Sequence, residues 1–194
     1  MGRIPEASEE ISEEGKEIMR IIAGRLGGRL FESPHGHRTH PMGDKIRGAL
    51  FNTLGDIEGL TILDAFAGSG ALSFEAISRG AASSVAIESD KGAQNSIAAN
   101  IEKLDLEDHV QLVRAFVISY IRRIHDEFDI IIADPPYDDV QYKALELLPT
   151  KVKPGGIIVY SLPPTARLVM PESFELVSKK EYGDATLHFY RRIR

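Results

Sequence analysis

Between Leu60 and Ser161 short apolar runs alternate with segments of helical period, and this rhythm restricts the fold more than any other feature of the chain. Leu60 to Phe66, Ser84 to Glu88, Val110 to Val113, Phe128 to Ala133 and Gly156 to Ser161 read as strands; Ala71 to Arg79, Lys91 to Leu104, Val117 to His125 and Val140 to Leu148 read as the intervening helices. Alternation of this kind predicts a parallel sheet covered on both faces by helices. Two more strand-like runs, Phe174 to Tyr182 and Ala185 to Arg192, are joined by Gly183-Asp184 with no room for a helix, which predicts an antiparallel hairpin. The expected total is a seven-stranded α/β sheet with one reversed strand.

Upstream of that rhythm the pattern changes. Residues 1–18 are acidic and poor in apolar side chains, as expected of a mobile extension. From Met19 to Phe31 strand formers mix with glycines, which predicts a small β-ribbon, and Glu32 to Pro41 carries two prolines and three histidines, which predicts a loop. From Gly43 onward Ile46, Ala49, Leu50, Thr53 and Leu54 fall on one face of a helix. The expected organisation is therefore an extension over 1–18, a ribbon and loop over 19–42, and a single α/β domain over 43–194.

The net charge of -6 hides an uneven distribution. Residues 1–18 hold Arg3 and Lys16 against six glutamates, giving -4, whereas residues 19–47 hold five arginines and Lys45 against Glu32 and Asp44, giving +4. A basic segment beside an acidic body suits a polyanionic partner held through phosphates, and on charge alone an ordinary solvated surface stays open as well. The chain has no cysteine, which removes disulfides, thiolate metal ligation and cysteine nucleophiles. No apolar run approaches the roughly 20 residues of a membrane span, and the expected location is the cytoplasm.

Two short motifs carry the chemistry. The first, Asp64-Ala65-Phe66-Ala67-Gly68-Ser69-Gly70, lies between a predicted strand and a predicted helix, where glycines let the backbone turn tightly and approach a ligand. Glu88 follows Gly68 by 20 residues at the end of the next strand, the place from which a carboxylate accepts ribose hydroxyls. An adenosine-bearing cofactor is implied. The NAD fingerprint asks for glycine or alanine three residues after Gly70 and finds Ser73, while S-adenosyl-L-methionine has no phosphate to cradle and offers an ammonium that Asp64 can face. No acid or base suited to hydride transfer accompanies the loop.

The second motif, Asp134-Pro135-Pro136-Tyr137, follows the apolar run Phe128 to Ala133 and is expected beside the first. An aryl amine is a poor nucleophile because its lone pair is delocalised into the ring. Two acceptors aimed at the amine hydrogens, the Asp134 carboxylate and the Pro135 carbonyl, oppose that delocalisation, and proline fixes the carbonyl direction. Tyr137 offers a face on which a base stacks, worth about 1 to 3 kcal/mol. Such a base has to be single-stranded or flipped to enter.

With these residues in place the chain resembles the bacterial RsmD-like enzymes from Met19 to Arg192. The likeness rests on Met19-Arg20-Ile21-Ile22-Ala23-Gly24, Asp44 to Asn52, Asp64 to Leu72, Ser78-Arg79-Gly80-Ala81, Asp134 to Tyr137, Tyr182-Gly183-Asp184 and Phe189-Tyr190-Arg191. It implies a class I methyltransferase Rossmann-like fold, adenosylmethionine as donor, and the exocyclic N2 of a guanine in 16S ribosomal RNA, free or in an assembling 30S particle, as acceptor. It implies Asp134, Pro135, Pro136 and Tyr137 as catalytic residues, and Asp64, Phe66, Gly68, Ser69, Gly70, Glu88, Ser89, Ala115 and Phe116 as cofactor contacts. RNA contacts are expected at Arg20, Arg25, Arg29, Arg38, His40, Lys45 and Arg47.

The chain departs from that family where His40-Pro41-Met42-Gly43 replaces its polar segment, and where Arg114-Ala115-Phe116-Val117 lacks its usual aspartate, leaving adenine to backbone contacts and Phe116. Adenine-N6 methylation of DNA or RNA shares both central motifs and stays open on pocket chemistry alone, as does a catalytically weak RNA-binding assembly factor on the same fold. No metal is expected, the His35, His37 and His40 group being better suited to phosphate than to a metal. Asp129 is expected at a strand edge facing solvent, and the protein is expected to be a monomer.

Overall fold

The computed structural model describes residues 17–34 and 42–194. The extension up to Lys16 and the loop residues His35, His37, Arg38 and His40 therefore lie outside the described residues. In chain order the elements are β1 (Ile18–Arg20), β2 (Leu30–Glu32), α1 (Asp44–Leu54), β3 (Thr61–Asp64), α2 (Ala71–Ser78), β4 (Ser83–Glu88), α3 (Lys91–Lys103), β5 (Val110–Arg114), α4 (Val117–Ile121), β6 (Phe128–Ala133), α5 (Tyr142–Leu145), a 3-10 turn (Leu148–Lys151), β7 (Val152–Leu162), β8 (Phe174–Tyr182) and β9 (Ala185–Arg192).

Strands β3 to β9 form one seven-stranded sheet in the order β5-β4-β3-β6-β7-β9-β8, with β9 antiparallel to both neighbours. The alternation of side chains sends successive residues of the central strands to opposite faces. Ile62, Ile130 and Ile132 join the core beneath α1, α2 and α3, together with Leu50, Phe74 and Ile97. Leu63, Ile131 and Ile158 join the other core with Val117, Ile121, Leu145 and Leu148. All eight residues of α2 are buried, because this helix lies between the sheet and the N-terminal ribbon.

The ribbon is a separate two-stranded sheet in which Met19 faces Phe31. It is not loosely attached: Met19, Ile21, Leu26 and Phe31 belong to the same core as α2 and α3. Buried polar groups fix its position. Glu75 of α2 accepts the amides of Ile22 (2.7 Å) and Ala23 (3.1 Å), Ser78 accepts the Leu26 amide at 3.0 Å, and Asn100 of α3 donates to the Glu32 carbonyl at 2.7 Å. Gly24 has φ +83°, and a Cβ there would overlap the Ser78 carbonyl, so only glycine lets the ribbon come this close.

Three details differ from the sequence reading. The helices expected over Val117 to His125 and Val140 to Leu148 shrink to single turns, and the second is followed by a 3-10 turn with Pro149 near its start, where the missing N–H cannot continue an α-helix. Strand β7 begins four residues earlier than expected, at Val152, with a register shift against β6 between Phe128 and Ile130 absorbing the Pro154-Gly155 segment. Asp129 is half-buried and engaged rather than simply turned to solvent. Its carboxylate accepts from Thr61 N (2.8 Å), Thr61 Oγ1 (2.7 Å) and Lys153 Nζ (2.9 Å), tying the starts of β3, β6 and β7 together. Burial pushes its carboxyl up, but the Thr61 donors and Lys153 outweigh burial and hold it below the usual range.

Candidate active site

Parallel strands deliver their carboxyl ends to one edge of the sheet, and the predicted motifs meet there. The glycine loop leaves β3 and turns at Gly70, whose φ of +81° starts α2. A Cβ on Gly70 would come within 2.7 Å of the Phe74 ring, which explains glycine at that position. Glu88 clamps the loop: one carboxylate oxygen accepts the Gly68 amide at 2.8 Å, and the other accepts the amides of Ser89 (2.7 Å) and Asp90 (2.8 Å). Ala65, Phe66, Ile87, Glu88, Ser89, Ala115, Phe116, Val117 and Gln141 enclose a pocket beside it. Phe116 is 64% exposed, a large apolar surface placed in the pocket wall rather than in the core.

Asp64 sits at the base of this loop and is fully buried. One oxygen accepts the Ser73 hydroxyl at 2.9 Å and the other has no partner. Burial is the main cause that pushes the Asp64 carboxyl up to about 7; the Ser73 hydroxyl opposes this, and the charges of Asp134 and Glu88 add to it. Ser73, the residue that breaks the NAD fingerprint, is thus the one that holds Asp64.

Asp134 follows β6 and keeps partial access to the crevice, while Pro135 is buried. Packing pushes its carboxyl up to about 6, against the lowering effect of the Ser161 hydroxyl. The same Ser161 hydroxyl lies 2.9 Å from the Tyr137 hydroxyl, fixing the ring edge. Burial raises the Tyr137 phenol to about 12, so it remains neutral and a hydrogen-bond donor at physiological pH.

Among the described residues, Asp64, Glu88 and Asp134 form no ion pair. Three carboxylates at the ends of adjacent strands without a counter-charge, one with an unclaimed oxygen, fit a ligand that brings positive charge. The aromatic wall of Phe66 and Phe116 fits a purine ring. Adenosylmethionine, with its sulfonium and ammonium, matches both demands.

Sequence reading missed several residues here. Ser161 interrupts the run Ile157 to Leu162 near the carboxyl end of β7, a signal that was available. Gln141 lines the pocket with φ 38°, an unusual conformation for a side-chain-bearing residue, and nothing in its local sequence announces it. Ile87 and Val117 are pocket walls indistinguishable from core residues by pattern alone.

The basic residues separate into two groups. Arg25 and Lys45 are exposed. Arg20 is 58% exposed while bonded to Asp44 at 2.7 Å, and Arg29 is 44% exposed with a bond to the Leu104 carbonyl at 3.2 Å. Arg47 is completely buried. It donates to the carbonyls of Met42 (3.1 Å) and Arg20 (2.7 Å) and to Asp44 (2.8 Å), and lies 3.9 Å from Glu75. The expected RNA contact at Arg47 gives way to an internal role, because the side chain is buried and its two terminal nitrogens bond to Met42, Arg20 and Asp44, with Nε left facing Glu75.

The sheet order, the reversed β9, the glycine loop after β3 and Asp134 to Tyr137 after β6 define a class I methyltransferase fold. More narrowly, the chain belongs to the RsmD-like family, its residues 19–191 matching the family described as "Conserved hypothetical protein 95". It is 30% identical over 183 residues to the ribosomal RNA small subunit methyltransferase D of Haemophilus influenzae, spanning 91% of this chain and 95% of that one. It is 34% identical over 124 residues to the Escherichia coli protein of that name, spanning 63% and 62%. The solved structure of the Escherichia coli methyltransferase candidate yhhF superposes with a TM-score of 0.81 at 29% identity, covering 90% of this chain and 98% of that one.

Proposed function

We propose that this protein transfers a methyl group from S-adenosyl-L-methionine to the exocyclic N2 of a guanine in small-subunit ribosomal RNA. The observation that carries the reading is the placement of two motifs at neighbouring strand ends: Asp134 follows β6, whose partner β3 leads into the glycine loop, and Tyr137 is braced by Ser161. The family relatives named as small-subunit ribosomal RNA methyltransferases support the RNA class.

Bound adenosylmethionine would supply an electrophilic methyl group on a sulfonium, which becomes a neutral thioether once the amine nitrogen has taken the methyl. Glu88 would accept the ribose hydroxyls on the lone pairs its backbone donors leave free, Phe66 and Phe116 would flank the adenine, and buried Asp64 would supply negative charge beneath the methionyl ammonium. At the acceptor side, Asp134 and the Pro135 carbonyl take the two amine hydrogens, which localises the nitrogen lone pair toward the methyl group. Tyr137 stacks on the base, its orientation held by Ser161. After transfer the amine carries a positive charge, and its proton leaves to Asp134 or to water.

Residues 19–42 and the start of α1 form the RNA-facing side, with Arg20, Arg25, Arg29 and Lys45 holding phosphates. Arg38 and His40 belong to the same proposal. The enzyme acts in the cytoplasm on a bacterial small subunit or its RNA, and as a monomer.

The test is methylation of small-subunit RNA or particles from an unmethylated strain with labelled donor, read by nucleoside mass spectrometry. N2-methylguanosine is expected. Label confined to N6-methyladenine of DNA would overturn the acceptor, and RNA binding without any donor binding would overturn the enzyme.

A further inference from the structure

The choice between guanine and adenine needs a group that reads the base edge beside the amine. Guanine carries N1–H next to its 2-amine, a donor, whereas adenine carries a bare N1 next to its 6-amine, an acceptor. An acceptor on the protein at that place welcomes the first and repels the second, and discrimination built on unpaired polar groups is the strong kind.

The hairpin between β8 and β9 brings such a group to the acceptor pocket. Strand β9 runs antiparallel to β7 with Thr186 opposite Leu162 and Leu187 opposite Ser161. The turn residues Gly183 and Asp184 therefore project past the carboxyl end of β7, at the edge where Asp134 to Tyr137 leave β6 and where Ser161 holds the Tyr137 hydroxyl. Asp184 is exposed, and its negative charge, like that of Asp134, reaches the Tyr137 phenol. Nearby, Lys179 pairs with Glu181 at 2.7 Å, while the Asp184 carboxylate forms no ion pair among the described residues.

We propose that Asp184 is a specificity-determining residue of the acceptor pocket, its carboxylate accepting the N1–H of guanine while Asp134 and the Pro135 carbonyl take the hydrogens of the 2-amine. This rests on the guanine reading above and deepens it. Accepting N1–H also pushes electron density through C2 toward the 2-amine, so the same contact that selects the base raises its nucleophilicity. Adenine in the same pose places its N1 lone pair against the carboxylate, and the repulsion lifts it off Tyr137.

2-Aminopurine keeps the 2-amine and loses N1–H together with the 6-oxygen, so the change of preference in Asp184 variants, rather than the wild-type preference alone, reports on the N1 contact. The assay uses small-subunit particles reconstituted with RNA carrying guanine, 2-aminopurine or adenine at the nucleotide methylated by the wild-type enzyme. The wild type is expected to prefer guanine over 2-aminopurine by about 10- to 100-fold in kcat/KM, the range of a hydrogen bond to a charged group. Asp184→Asn presents an amide that can donate to a bare N1; it should lower kcat/KM on guanine by a similar factor and raise the 2-aminopurine to guanine ratio at least about tenfold, with donor affinity unchanged. Asp184→Ala should lower activity on guanine without that gain. A ratio unchanged in both variants, with guanine still methylated, would overturn the role of Asp184 and leave the proposed function standing. A wild-type enzyme that makes no N2-methylguanosine would overturn both.

Discussion

Buried charge is handled in opposite ways in two regions of this molecule. Around the ribbon anchor, Glu75 accepts two backbone amides and pairs with Arg79 at 2.6 Å, while Arg47 is enclosed by Met42, Arg20, Asp44 and Glu75. Arg79 in turn lies over the Phe51 ring at 5.2 Å and donates to Asn52. Charge there is compensated by charge. Around the crevice, Asp64 and Asp134 are pushed up to about 7 and about 6, and neither forms an ion pair among the described residues. A compensated cluster holds parts of a fold together; an uncompensated one stores unfavourable energy that a cationic ligand relieves, which is why such groups point to function.

The sharpest way to break this contrast is to remove a compensating partner from the anchor. Glu75→Ala leaves Arg47 as a buried cation short of one carboxylate and strips the Ile22 and Ala23 amides of their acceptor, so unfolding in urea should show a loss of about 3 to 5 kcal/mol. A loss under about 1 kcal/mol would mean that the ribbon is held by its apolar contacts alone.

Next in size is the crevice itself. Asp134→Ala should reduce single-turnover methylation by about 100- to 1000-fold while donor binding by titration calorimetry and thermal stability stay close to wild type. If turnover survived at more than a tenth of wild type and the fold instead lost stability, Asp134 would belong with Glu75 as an architectural group.

How much of this could be read from the sequence follows from how far each feature depends on distant packing. The glycine loop, Glu88 and Asp134 to Tyr137 are contiguous segments at the ends of strands that announce themselves by composition, so sheet topology alone brings them together. The two cores were legible for the same reason, since Ile62 and Leu63 alternate as strand residues must. Arg47 was not legible. It lies in a basic stretch that looks solvated, and only the approach of α2, with Glu75 facing inward, turns it into a strut. Asp129 was misread for a related reason: its partners Thr61 and Lys153 come from two other strands. Gln141 takes its left-handed conformation from the short α5 turn that follows, which the expected longer helix concealed.

A smaller effect, but one with a distinctive sign, is expected at Asp64. Its carboxyl titrates near 7 in the folded protein, far above its ordinary value, so the folded state holds a proton that the unfolded state has released. The stabilisation associated with that proton is complete at low pH and lost as pH rises from about 4 through about 7. Asp64→Asn keeps an acceptor for Ser73 and carries no charge, so the ligand-free variant should be more stable than wild type at pH 8, by about 1 to 3 kcal/mol, and should show a flatter stability profile over that pH window. Donor affinity should fall in the same variant, because the ammonium loses its anionic partner. Greater stability without weaker donor binding would separate Asp64 from the cofactor and break the link between uncompensated charge and ligand.

The smallest effects belong to the exposed basic residues, and they test whether the anchored ribbon is also an RNA surface. Arg25 and Lys45 are exposed, while Arg47, a few residues further on, is fully enclosed. If the exposed pair meets phosphates, Arg25→Gln and Lys45→Gln should each weaken RNA binding equally for matched and unmatched sequences, and each should reduce the slope of log affinity against log salt by about 0.7 to 1. Arg47 is fully buried, so any loss of RNA affinity in Arg47→Met should track loss of folded protein and leave the salt slope of the folded fraction unchanged. A reduced slope in Arg47→Met alone would mean that the ribbon lifts from α2 when RNA binds, and that the compensated cluster is itself part of the binding event.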